Sequence, residues 1–122
     1  MILRAILITF VSLICINTAL ATGSLDFKAG DYYLNMTVSM ETMTVIDPIY
    51  FASPETSSPI GLYKKQFHTF RYDFARKSLT AIFVNANDPS MPKSFTVNIR
   101  GKNGVLTIEG KRVPFSASWK LL

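Results

Sequence analysis

Apolar and polar side chains alternate one by one along most of this sequence, and this alternation constrains the fold more than any other feature. In residues 32–41 every even-numbered side chain is apolar, whereas most odd-numbered ones are polar. The same alternation recurs in residues 95–100 and 113–121. Successive side chains of a β-strand point to opposite faces, so a period of two indicates strands with one buried and one solvated face.

The remaining segments also favour strands over helices. Residues 60–67 and 68–74 are predicted as strands, and residues 79–84 are apolar or β-branched on both faces, which is typical of a central strand. Asp47-Pro48 interrupts the pattern before a short apolar run at residues 49–51. Beyond residue 21, no long window shows the helical period of 3.6. The sequence therefore predicts an all-β domain of about seven to eight antiparallel strands.

Two architectures fit this pattern, a small barrel and a two-sheet sandwich. We favour the barrel because the apolar last strand needs a partner, and closure onto the first strand is the simplest way to supply one. Pro114 lies in that last strand. Proline cannot donate a ladder hydrogen bond, so Pro114 is expected at the start of the strand or on an edge.

The beginning of the chain has the organisation of a secretory signal peptide. Residues 1–4 carry one positive charge, residues 5–16 are uncharged and mostly apolar, and residues 19–21 (Ala-Leu-Ala) supply the small side chains that a signal peptidase recognises. The apolar run ends before it reaches the roughly 20 residues of a membrane-spanning helix. An uncleaved membrane anchor is the alternative.

We therefore predict a leader at residues 1–21 and a single all-β domain at residues 22–122, exported to the periplasm or secreted, with no stable membrane span after cleavage. The one cysteine, Cys15, lies in the leader, so this domain is held together without disulfides. The chain has 13 Lys and Arg against 8 Asp and Glu, a formal charge of +5 that becomes +4 when Arg4 is removed with the leader. The mature domain is therefore mildly basic.

Residues able to carry catalysis are sparse. His68 is the only histidine, and no nucleophile motif surrounds any serine or carboxylate. On a strand, Met36 and Met40 stand roughly 13 Å apart and Met43 points to the other face, so the three thioethers do not share a copper ion. The sequence predicts a protein that is not an enzyme and that needs no metal or cofactor.

The basic residues fall mostly at predicted turns and on the wet faces of strands. We predict that a partner-binding rim forms where strand ends meet, and its residues are Lys64, Lys65, Arg76, Lys77, Lys93 and Lys102. The alternative is that these cations only protect strand edges and keep the protein soluble. Export and the modest charge argue against nucleic acid as the partner.

Two functions from different classes fit the sequence. The first is a non-enzymatic binding protein, for instance an inhibitor or immunity-type module, that contacts an envelope or extracellular protein through loops at residues 53–59 and 85–93. The second is a carrier of a lipid or other hydrophobic small molecule. The barrel of that carrier is lined by Tyr32, Met36, Met40, Phe70, Tyr72 and Phe83. A structural, adhesin-like subunit that pairs through an exposed strand edge is a third possibility.

Overall fold

The computed structural model describes residues 22–56 and 58–121. Within these residues the chain forms nine β-strands and one short 3-10 helix, Lys64–Gln66. In chain order the strands are β1 (Thr22–Ala29), β2 (Tyr32–Ser39), β3 (Thr44–Ala52), β4 (Ile60–Leu62), β5 (Thr69–Asp73), β6 (Ser78–Phe83), β7 (Phe95–Arg100), β8 (Asn103–Ile108) and β9 (Lys111–Leu121). The predicted all-β fold is thereby confirmed. The predicted leader, residues 1–21, lies outside the described residues.

All nine described strands belong to one antiparallel sheet that curls into a half-barrel. The order across the sheet is β4-β3-β2-β1-β9-β8-β7-β6-β5. The last strand pairs with the first, with Leu25 opposite Trp119 and Phe27 opposite Ala117. This pairing joins the two halves of the chain into one sheet, which stays open between β4 and β5, and the strand count exceeds the predicted seven to eight.

The antiparallel pairing places the connections at two opposite ends of the half-barrel. One end, which we call the loop end, carries the turn between β1 and β2, the loops at residues 53–59 and 84–94, and the turn at Glu109 and Gly110. The other end, the turn end, carries the short turns at residues 40–43, 74–77 and 101–102. The two long loops therefore lie at the same end.

Strand β9 changes partner along its length. Residues 111–116 pair with β8, whereas residues 117–121 pair with β1. Pro114 lies in the part that pairs with β8 alone, opposite Val105. The missing N–H of the proline is therefore tolerated where β9 is locally an edge, in agreement with the prediction.

Strand β3 runs through Asp47-Pro48, which the sequence pattern treats as an interruption. The register between β2 and β3 shifts there, from Asn35 opposite Tyr50 to Thr37 opposite Ile46. Extra residues on β3 thus oppose a single position on β2, as in a β-bulge. The bulge lets the strand continue through a proline that cannot take part in the ladder.

The two edges of the sheet, β4 and β5, run in the same direction because nine strands alternate in sense between them. An all-antiparallel closure is impossible with an odd number of strands, and β4 and β5 are joined only by residues 63–68.

The predicted strand at residues 60–67 is wrong beyond Leu62, where β4 ends. The Asp47 carboxylate accepts a hydrogen bond from the Lys64 N–H at 2.9 Å, which turns the chain into the 3-10 helix.

Phe67 follows this helix and enters the interior, where it is 8% exposed. Its ring lies edge-on to those of Phe70, Phe83 and Phe95, with centroids 5.2, 5.7 and 6.1 Å away. Phe51 and Phe95 stack face to face at 4.2 Å. These rings come from opposite halves of the sheet, so their contact holds the curled sheet closed where its edges lack hydrogen bonds.

Candidate functional site

The two long loops line one groove at the loop end of the half-barrel. The groove has a volume of about 790 Å³. It is lined by Ser53, Glu55, Thr56, Ile60, Asn85, Asn87, Asp88, Pro89, Ser90, Met91, Pro92, Lys93 and Ser94. The sequence identified both loops by composition, and the fold brings them together because β3 and β6 both end here.

Asn85 organises the longer loop. Its side-chain amide Nδ2 donates to the carbonyl oxygens of Asp88 at 2.8 Å and Pro92 at 2.7 Å, and its Oδ1 accepts from the Asp88 N–H at 2.7 Å. The Asn85 N–H donates to the Ser94 hydroxyl at 2.8 Å. A residue at the base of the loop therefore holds the loop in one shape. The side-chain amide of Asn85 lies where the backbone carbonyls of the loop converge.

The Asp88 carboxylate is also used within the loop. Its Oδ1 accepts from the Ser90 hydroxyl at 2.6 Å and from the Ser90 N–H at 3.0 Å. These hydrogen bonds lower the pKa of Asp88 below its ordinary value. Asp88 therefore stays ionised and fixes the tip of the loop.

Lys93 links the groove to the neighbouring turn. Its Nζ lies 2.6 Å from Glu109 Oε1 and 3.7 Å from Glu55 Oε1. Glu109 occupies the left-handed region with φ of 52°, next to Gly110 at 76°, in the two-residue turn between β8 and β9. The turn between β8 and β9 thus places the Glu109 carboxylate next to Lys93, and the shorter loop supplies a second carboxylate, that of Glu55.

This ion pair gives a pH-dependent expectation. The hydrogen bond from Lys93 holds the pKa of Glu109 below its ordinary value of 4.5. A depressed folded-state pKa contributes stability that is present above the unfolded pKa and is lost as the pH falls through the folded one. We expect carbon-13 NMR of the side-chain carboxyls to show Glu109 titrating below 4.5, and the Lys93→Met variant to return it towards 4.5. A Glu109 pKa unchanged by this substitution contradicts the pairing.

The predicted partner-binding cations do not form one continuous rim. Lys93 lies at the loop end, and Lys64 and Lys65 lie in the 3-10 helix between the sheet edges. Arg76, Lys77 and Lys102 are the ones that the fold brings together at the turn end. There the Gly101 N–H donates to the Lys77 carbonyl at 2.7 Å, which ties two neighbouring turns.

The remaining candidates for chemistry lie apart. His68 is exposed just before β5, with Nδ1 3.0 Å from the Thr69 hydroxyl oxygen. Met36 is buried in the core and Met43 is exposed in a turn, in line with their predicted opposite orientations. Within residues 22–56 and 58–121, no group of three or more His, Cys, Asp and Glu side chains is placed to hold a metal ion.

The residues proposed to line a carrier barrel all face the interior. Tyr32, Met36 and Phe83 are buried, and Met40, Phe70 and Tyr72 are half-buried. The Tyr72 hydroxyl is buried and has no hydrogen-bond partner in the part of the chain that the structure describes, and burial raises the pKa of its phenol.

Comparison with protein-family models, with curated proteins and with solved structures finds no match to this chain. Across the described residues, no helix has the length and apolar character needed to cross a bilayer.

Proposed function

We propose that this protein is an exported, non-enzymatic binding protein of the inhibitor or immunity type, which contacts an envelope or extracellular protein through the groove at its loop end. The observation that carries this proposal is the meeting of two loops, far apart in sequence, in one preformed groove. Loops on a rigid β scaffold are a common location for recognition surfaces.

The fixed shape of the groove supports binding to a folded partner. Asn85 and Asp88 hold the longer loop through hydrogen bonds of 2.6–3.3 Å. The pairing of Lys93 with Glu55 and Glu109 ties that loop to its neighbours. A surface already ordered before binding loses little conformational entropy when the partner docks.

The groove also offers mixed chemistry. It combines exposed hydroxyl and amide groups with the apolar side chains of Ile60, Met91 and the prolines of the longer loop. Protein interfaces usually combine an apolar centre with a polar rim. The composition of the groove therefore suits a protein surface better than a single small ion.

The proposal is tested with two matched substitutions. Ser90 and Thr42 are both exposed, and each hydroxyl bonds a residue two positions away, but Ser90 lines the groove and Thr42 lies at the turn end. We expect a photo-reactive amino acid in place of Ala86, an exposed residue of the longer loop that lies beside the groove and does not line it, to cross-link one protein in the producing cell. The purified partner should then bind the wild type and the Thr42→Arg variant equally, and the Ser90→Arg variant about tenfold or more weakly, because the arginine fills the groove.

The opposite result is equally clear. If Ser90→Arg and Thr42→Arg bind the partner with the same affinity, the groove is not the interface. If no protein cross-links and the protein accumulates with a bound lipid, the carrier function replaces this one.

The carrier function is the second candidate, and one observation favours it. Near the turn end, the rings of Tyr72, Phe74 and Trp119 lie within 6.3 Å of one another, and the Tyr72 hydroxyl among them has no partner within the described residues. A hydrophobic ligand with one polar group would satisfy that hydroxyl. Against this, the other half of the interior is occupied by the stacked rings of Phe51 and Phe95.

A further inference from the structure

A second surface feature lies on the outer face of the sheet, near the turn end. It is a shallow depression of about 470 Å³ across β6 and β7. Its lining consists of Arg76, Ser78, Thr80, Asn98, Ile99 and Arg100. The register pairs Ser78 with Arg100 and Thr80 with Asn98, so these side chains form two adjacent cross-strand pairs on one face.

The positive charge around this depression is largely uncompensated. Arg71 lies opposite Thr80 on the neighbouring strand. Neither Arg71 nor Arg100 has a carboxylate within 4.0 Å among the residues that the structure describes. Arg76 approaches the Asp73 carboxylate at 3.8 Å, but its side chain is 86% exposed, and an exposed pair of this kind is weak.

Two lysines, Lys77 and Lys102, add positive charge near the same depression. The hydrogen bond from the Gly101 N–H to the Lys77 carbonyl places the turn that carries Lys77 beside the turn that carries Lys102. Clustered cations on one face raise the local concentration of anions and favour their binding. Arg76 and Arg100 thus line the depression, and Lys77 and Lys102 lie in the turns next to it.

The floor of the depression supplies neutral hydrogen-bond donors. The Thr80 hydroxyl donates to Asn98 Oδ1 at 3.3 Å, and within residues 22–56 and 58–121 the Asn98 amide Nδ2 has no partner, so it can donate to a ligand. The Ser78 hydroxyl lies in the same floor, directly opposite Arg100. A guanidinium presents its donors in a planar fork that matches the oxygens of a phosphate group, and hydroxyl and amide donors can bind the remaining oxygens.

We propose that this depression binds a phosphate group, carried either by a soluble phosphorylated molecule or by the headgroup of an anionic lipid. Arg100 and Arg76 bind the phosphate oxygens from two sides, and Asn98 and Ser78 donate from the floor. The site lies at the opposite end of the half-barrel from the groove, so it does not depend on the proposed function.

The test measures the binding of inorganic phosphate to the purified protein. The full-length coding sequence is expressed, and the protein is purified in the form that accumulates in the producing cells. Titration followed by nitrogen-15 NMR is expected to shift the backbone amide signals of Ser78, Thr80, Asn98 and Arg100. The Arg100→Gln variant should bind phosphate about tenfold more weakly, because it loses a charged hydrogen bond. The isosteric Asn98→Asp variant should bind still more weakly, because a carboxylate replaces the amide donor.

The matched control is Arg112→Gln, which removes the same charge from the outer face at the other end of the molecule. Arg112 is exposed and lies opposite Thr107. It should leave the affinity for phosphate within about twofold of the wild type, since two surface charges more than a Debye length apart are largely screened. All the substituted side chains are exposed, and thermal unfolding of each variant checks that the fold is retained.

Two further arms distinguish the source of the phosphate. Retention on vesicles of phosphatidylglycerol but not of phosphatidylcholine, lost in Arg100→Gln, supports the lipid headgroup. Phosphate binding without such retention supports a soluble ligand. The proposal is overturned if Arg112→Gln weakens binding as much as Arg100→Gln, if a glutamate polymer binds through Arg100 as tightly as phosphate does, or if neither phosphate nor vesicles bind.

Discussion

Replacing Phe51 with alanine is expected to lower the free energy of unfolding by about 3–5 kcal/mol, the usual cost of truncating a buried phenylalanine. Phe51 is fully buried, and its ring stacks on Phe95 from the other half of the sheet at 4.2 Å and 7°. The substitution therefore removes both a buried ring and a contact that joins the two halves where β4 and β5 are not hydrogen-bonded.

A matched control stands one position earlier in the same strand. Tyr50 is 45% exposed on the outer face of β3, so Tyr50→Ala should cost less than about 1 kcal/mol. Urea unfolding of both variants measures the difference, and thermal unfolding should show the midpoint of Phe51→Ala lowered by roughly 12 °C or more. Equal losses in the two variants would mean that the rings do not hold the half-barrel closed.

The inward faces of most strands could be read directly from the sequence. In β2 the buried side chains are Tyr32, Leu34, Met36 and Val38, which are the apolar members of the alternation. This works because the period of two depends on the strand itself and not on its partner. The hairpin of β7 and β8 was equally accessible, since Gly101 and the residues after it mark the turn.

The sequence was less informative where the fold depends on long-range contacts. Strand β1 was not predicted, because its inward positions include the small residues Gly23 and Ala29, which weaken the apolar pattern. The turn of the chain after Leu62 involves a hydrogen bond from the Lys64 N–H to the carboxylate of Asp47, which lies 17 residues earlier. Neither signal is local, so neither could be seen in a short window of sequence.

In the candidate sites too, local sequence predicts some features and long-range contacts determine the others. Composition identified the two loops, but their meeting in one groove follows from the strand order. The sequence placed the cations mostly at turns and on the wet faces of strands, yet it could not show that Lys93 would pair with Glu109 while Arg76 and Lys102 would lie together at the other end. Arg100 falls on the outward face of the alternation, but the side chains that the register sets beside it could not be read from its own strand.

The close approach of Gly104 and Phe115 yields the second large stability effect. These residues are direct cross-strand partners in β8 and β9. A Cβ atom on residue 104 would overlap two ring atoms of Phe115, and that ring is already stacked on Phe27 with centroids 3.8 Å apart. The ring cannot yield without losing this stacking. We therefore expect Gly104→Ala to destabilise the protein by about 2–4 kcal/mol through overpacking and the lost aromatic contact.

A double-mutant cycle separates this clash from any general intolerance at position 104. In a Phe115→Ala background the space above residue 104 is open, and alanine is favoured over glycine in a strand by roughly 0.5–1 kcal/mol. The effect of Gly104→Ala should therefore change sign between the two backgrounds, giving a coupling energy above about 2 kcal/mol from urea unfolding. Additive effects of the two substitutions would show that the Phe115 ring does not pack over Gly104, and that the contact between β8 and β9 is maintained by the backbone ladder alone.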